Sequence, residues 1–211
     1  MQNKIDHFAI GAATLEQGQA VLKKALGVDV PNGSKHTAMS THNCITQGGH
    51  ESFLEIIAID PDAPDPGRAR WFTLDDSATQ ARLAERPRAL CWVVGTDDLD
   101  GVIAKSPVDL GEVVLFTRGE RSWRLTVPCD GSLPEDGLLP AFIEWSPGPH
   151  PSSAMQDLGV VLTRIKLSHP DPAWLGGVLK RLGVDHLVDV TEGKRALAFA
   201  LSSPNGDVVL D

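Results

Sequence analysis

One local order recurs along the chain. "IDHFAIG" (5–11) is an apolar strand ending at glycine, Thr14 is an N-cap, and "LEQGQAVLKKALG" (15–27) is a helix ending at Gly27. Short strands follow, with a break at 41–43 inside "HTAMSTHNCITQ", and "SFLEIIAI" (52–59) closes the unit. "ALCWVVG" (89–95), the short helix "TDDLDGVIAKS", the paired strands of "EVVLFTRGERSWRLTVP" and the closing "AFIEW" (141–145) repeat that order. A third pass runs through "LTRIKLSHP", the helix "DPAWLGGVLKRLG" and the strands "HLVDVT", "RALAFALSS" and "VVLD". Its "VLKRLGV" echoes "VLKKALGV" at 21–28. An internal repeat constrains a fold more than any single motif. The order predicts an α+β protein of repeated βαβββ modules at 1–60, 88–148 and 160–211. A linker with a helix ("WFTLDDSATQARLAER") lies at 61–87, and a loop at 149–159.

Two closing strands carry a carboxylate inside an apolar run: Glu55 in "SFLEIIAID" and Glu144 in "AFIEWSPG". A lone buried carboxylate costs several kcal/mol, about 2–7 even for a neutral polar group, unless it is paired or protonated. Aligning Gly11 with Gly95 sets His7 opposite Cys91, and aligning the closing strands sets Glu55 opposite Glu144. A net charge of −9 argues against the basic surface that nucleic acids or anionic membranes require. No apolar stretch approaches the ~18 residues of a membrane span, and the first residues lack a signal-peptide core. Three cysteines without paired spacing point to reduced thiols and a cytoplasmic setting.

Paired βαβββ modules with His on an opening strand and Glu on closing strands resemble the vicinal oxygen chelate superfamily, which includes glyoxalase I, extradiol dioxygenases and methylmalonyl-CoA epimerase. "IDHFAIGAATLEQG", "STHNCI", "FLEIIAIDP", "RARWFTLD", "VVGTDDLD" and "FIEWSPGPHPSS" are similar to the glyoxalase-like domain family of bacteria, over most of residues 4–170. The resemblance implies two modules paired into an open half-barrel, with a third module at the C-terminus. It also implies a metal set of His7, Glu55, Cys91 and Glu144, in which Cys91 stands where His or Glu is usual. A thiol beside two carboxylates resists deprotonation, so Cys91 reads better as a small buried apolar side chain than as a ligand. His7, Glu55 and Glu144 alone would leave open positions for Zn²⁺, Ni²⁺, Mn²⁺ or Fe²⁺; the alternative is a metal-free cavity.

Further candidates line the expected pocket. His42 and Asn43 match the family's "STHNCI" corner, His150 matches "GPHPSS", and His36 precedes them in "KHTAMSTHN". Arg124, placed in the second module where His42 and Asn43 lie in the first, suits a substrate carboxylate. The chain has five tryptophans and no tyrosine; Trp92, Trp123 and Trp145 cluster on the second module's strands, where most indoles pack the core, and Trp92 is the one assigned to the pocket. The resemblance then implies a lyase or isomerase of glyoxalase type acting on a small oxygen-rich molecule, with Glu55 and Glu144 as proton carriers. Metal-free ligand sequestration is the alternative, and ring-cleaving oxygenation ranks below both. The expected partner is a small-molecule ligand, with a homodimer left open.

Overall fold

The computed structural model describes residues 3–211. The first unit is β1 (Lys4–Gly11), α1 (Leu15–Leu26), β2 (Asn32–His36), β3 (Thr41–Gly49) and β4 (Ser52–Ile59). After α2 (Ser77–Glu85), the second unit is β5 (Arg88–Gly95), α3 (Leu99–Lys105), β6 (Glu112–Arg118), β7 (Arg121–Val127) and β8 (Ala141–Trp145). The third is β9 (Val161–His169), α4 (Pro172–Arg181), β10 (Val188–Glu192), β11 (Ala196–Ser203) and β12 (Gly206–Leu210). No helix among the described residues is long and apolar enough to cross a membrane.

Local chemistry sets the elements. Thr14 caps α1, its side chain accepting from Gln17 N–H, and Gly27 ends the helix at φ 77°. Gly18 lets α1 close onto β4: a Cβ there would lie 2.4 Å from Ile56 Cγ2. Two boundaries differ from expectation. The break between β2 and β3 falls at 37–40 rather than 41–43, so His42 and Asn43 belong to β3 itself. The linker helix begins only after Asp76, which caps it, because Phe72 and Thr73 adopt φ of 62° and 55° and no helix passes through them.

The first two units form one eight-stranded sheet, ordered β2-β3-β4-β1-β5-β8-β7-β6. The opening strands pair antiparallel at its centre, Ala9 facing Cys91, and in each unit the closing strand runs parallel to the opening one. The sheet curls into a half-barrel. The third unit keeps the element order but not the wiring. It forms a separate sheet, β10-β9-β11-β12, whose first strand pairs with its second and third instead of its last.

Alternation along the strands divides the core. Phe8, Ile10, Leu54, Ile56, Trp92 and Phe142 point to the outer face, where the helices and the C-terminal sheet cover them. Ala9, Ile57, Cys91, Val93, Ala141 and Ile143 point inward. Phe199 of β11 joins the two sheets, its ring 5.1 Å from that of Phe8. Phe199→Ala is expected to cost about 3–5 kcal/mol. Urea denaturation measures it, and a loss below about 1 kcal/mol would show that the C-terminal sheet does not depend on this contact.

Candidate active site

The half-barrel encloses a cavity of about 60 Å³. That is small beside the ~300–1,000 Å³ of most ligand pockets. Its polar end belongs to the first unit. Glu55, 4% exposed, projects inward from β4. Asn43 of β3 donates its amide to Glu55 Oε1 at 2.6 Å, and His36 Nε2 lies 3.9 Å from the same oxygen. His7 Nε2 stands 3.8 Å from Oε2. Gly33 makes room for this arrangement, since a Cβ there would meet Asn43 Oδ1 at 2.2 Å. That oxygen accepts the Ser34 N–H at 2.8 Å and so fixes the amide's orientation.

Behind His7 stands Asp6, which no sequence argument singled out. The β1–β5 register shifts between Ile5 and His7, leaving Asp6 as the extra residue of a bulge. The bulge re-aims its side chain onto its own neighbour: Asp6 Oδ1 meets His7 Nδ1 at 2.6 Å. Asp6 Oδ2 accepts from Trp145 Nε1 at 2.7 Å and from His150 Nε2 at 3.0 Å. His150 Nδ1 receives the Ser152 N–H, which leaves the proton on Nε2 for Asp6. The signal that could have found Asp6 is an acid next to the strand histidine, at a position where alternation would send it into the outer core.

The charges are tuned apart. Burial pushes Asp6 up, but the hydrogen bonds from His150 and His7 outweigh it and lower its pKa to about 2. Burial pushes His7 down, yet the hydrogen bond and charge of Asp6 and the charge of Glu55 leave it raised. His36 ends lowered, chiefly by burial, with Arg118 and His7 adding to the effect against Glu55. Two imidazoles therefore flank one carboxylate, His7 biased toward the cation and His36 toward the neutral ring.

Apart from Arg118, the remaining walls are apolar. Phe53, Trp71, Phe72, Trp123 and Trp145 supply aromatic faces, with Ile45, Leu125, Ile143, Pro151 and Met155 between them. Trp71 and Phe72 come from the linker, where the left-handed turn at Phe72 and Thr73 displaces them from the expected helix.

Other expected site residues lie elsewhere. Glu144 is on the outer face of β8, where Arg124 Nη1 binds it at 2.8 Å and the Leu99 N–H at the start of α3 approaches at 3.4 Å. Arg124 also pairs with Asp100 there and does not reach the cavity. The reason is register. Ala12 N–H bonds Ile57 O in the first unit and Thr96 N–H bonds Ile143 O in the second, which makes Ile57 equivalent to Ile143 and Glu55 to Ala141. Aligning Glu55 with Glu144 shifts the frame by an odd number of residues, and an odd shift exchanges the faces of a strand. Trp92 is wholly buried on the outer face, its indole N–H on Leu138 O at 3.3 Å. His42 falls out of phase with the cavity-lining Asn43 and Ile45 on β3. His150 supports Asp6 from behind the wall instead of lining it. Cys91 does match His7 in position and faces inward, but it is fully buried in apolar packing, which pushes its thiol well above the ordinary value.

Two βαβββ units paired into one half-barrel are the fold of the vicinal oxygen chelate class. The glyoxalase-like domain matches residues 5–183, and the chain belongs to that family. A hypothetical protein from Staphylococcus aureus superimposes with a TM-score of 0.58 at 16% identity, over 99% of this chain and 84% of that one. Methylmalonyl-CoA epimerase from Mycobacterium tuberculosis gives 0.42 at 16% identity, over 71% of this chain and 91% of that one. The first of these likenesses bears on fold alone, and nothing is drawn from the second. No curated protein matches the sequence.

The divalent metal that the superfamily suggests does not fit these residues. Of the four implied ligands, Glu144 faces outward and Cys91 is held as a neutral thiol; Ala141 occupies the position matching Glu55. His36 does not complete a set with His7 and Glu55, because the Asn43 amide nitrogen sits between them, 3.2 Å from His36 Nε2 and 2.6 Å from Glu55 Oε1. Among the described residues, no group of three or more His, Cys, Asp or Glu side chains could hold a metal ion. A metal at ~100 times its Kd would stabilise the fold by about 2.7 kcal/mol. Added Zn²⁺, Ni²⁺, Mn²⁺ or Fe²⁺, and a chelator, are each expected to leave the melting temperature unchanged. A rise of several degrees with one metal, lost in His7→Ala, would restore the metal site.

Proposed function

We propose that the protein is an isomerase or lyase of glyoxalase type, in which Glu55 moves a proton on a small carbonyl- or hydroxyl-bearing substrate without a metal. The observation that carries this reading is Glu55 itself: a buried carboxylate on the cavity wall, oriented by Asn43 and flanked by two histidines of opposite protonation bias. Environments that push neighbouring groups apart in pKa assign acid and base roles. Glu55 takes the proton from a carbon next to a carbonyl. The His7 imidazolium, held by Asp6, gives its Nε2 proton to the carbonyl oxygen as negative charge grows there. Return of a proton to carbon completes an isomerisation; loss of a β-substituent completes an elimination. Sequestration of a ligand without chemistry is the second reading, favoured by the aromatic lining. The buried and exposed free thiols suit a reducing compartment such as the cytoplasm.

Deuterium exchange separates the two. The protein is incubated in D₂O with a panel of 2-oxo and 2-hydroxy carboxylic acids and followed by proton NMR. Exchange of the α-hydrogen in at least one compound, dependent on Glu55, supports the enzyme. Binding without exchange across the panel supports sequestration.

A further inference from the structure

The half-barrel is open on one side, between its two edge strands, β2 and β6. Arg118, the last residue of β6, reaches across that gap. Its Nη1 donates to Ser34 Oγ on β2, and its guanidinium lies over the Trp123 ring, 5.7 Å from the centroid. One exposed side chain thus bridges the first and last strands of an eight-stranded sheet and forms part of the cavity lining. Among the described residues no carboxylate lies within salt-bridge distance of it, although the chain carries a net charge of −9. Arg124 of β7, by contrast, holds two carboxylates on the outer face. A planar guanidinium with unused donors, lying over an indole at the mouth of a pocket, is matched to a carboxylate.

We infer that Arg118 is the specificity-determining residue of the cavity, and that it selects a small planar ring compound carrying a carboxylate. The carboxylate exchanges Ser34 for itself on Arg118, which opens the bridge, while the ring enters between the aromatic walls of Phe53, Trp71, Phe72, Trp123 and Trp145. The charge of Arg118 already acts on His36 inside, so the mouth and the polar end are one electrostatic unit. The inference takes from the proposed function only that this cavity is the working site.

Tryptophan fluorescence reads the test directly, since Trp71, Trp123 and Trp145 line the cavity and the chain has no tyrosine. The probes are benzoate, benzamide, cyclohexanecarboxylate and phenyltrimethylammonium. Benzoate is expected to bind about ten-fold or more tighter than benzamide, the worth of one charge-assisted hydrogen bond, and tighter than cyclohexanecarboxylate. Arg118→Ala should erase the preference over benzamide. Ser34→Ala, which removes the competing acceptor and leaves Arg118 in place, should tighten benzoate. Equal binding of benzoate and benzamide, a preference that survives Arg118→Ala, tighter phenyltrimethylammonium, or no binding by any probe would overturn the inference. Failure of the catalytic reading looks different: Glu55→Gln keeps the Arg118-dependent preference while the wild type shows no α-hydrogen exchange.

Discussion

Asp6→Ala is expected to lower stability by about 3–5 kcal/mol, and the melting temperature by roughly 10 °C. The carboxylate is 2% exposed and accepts from His7, Trp145 and His150, so its removal leaves three buried donors without a partner. It also unties the loop after β8, which brings Pro151 and Met155 to the cavity wall. Asp6→Asn should recover only part of the loss, because one amide oxygen cannot serve three donors. The pH dependence has two limbs. The pKa of Asp6 falls from 3.8 to about 2, so its contribution of about 2 kcal/mol is present above pH 3.8 and disappears as pH drops through about 2. The pKa of His7 is raised from 6.5, so its share is present below pH 6.5 and fades as pH climbs through the raised value. Differential scanning calorimetry across pH checks both limbs. A variant melting within about 2 °C of wild type would mean the three donors find other acceptors.

Glu55→Gln is expected to reduce α-hydrogen exchange by about 10²–10⁴-fold while leaving the fold intact. Glutamine keeps an oxygen for the Asn43 amide, so the local hydrogen bond survives and only the proton acceptor is lost. The pH–rate profile of the wild type carries a second expectation. Activity needs His7 protonated, so it should decline on the alkaline side at a pH above the ordinary histidine value of 6.5. In Asp6→Asn the main upward influence on His7 is gone, and that decline should move to lower pH. A merely structural Asp6 would change the rate without moving the limb. Full exchange activity in Glu55→Gln would refute the assigned base.

The repeat was readable because it rests on local chemistry. Glycine-ended strands, a Thr or Asp cap and helix-period apolar residues recur wherever the chain builds this unit, and they need no knowledge of what packs against them. Glu55 stood out for a local reason too, a carboxylate inside an apolar run, whereas His7 and Asn43 were named from the resemblance to the family and His36 from its place just before the same corner. Other residues depended on registers the sequence does not print. Glu144 looks like Glu55 in isolation, yet the parallel pairing of β5 with β8 places it on the outer face, beside Arg124 and the start of α3. The third unit copies the element order of the first two but is wired differently, because order along the chain does not dictate which strands pair.

The sequence by itself determined the modules, the acidic carboxylate of the first one and the family. Tertiary structure alone decided which side of each strand faces the cavity, that a bulge turns Asp6 onto His7, and that Arg118 rather than Arg124 stands at the mouth. The physical reason is that side-chain direction in a sheet has a period of two residues. A single inserted residue or an odd shift of register reverses it, and only the pairing of distant strands fixes the register.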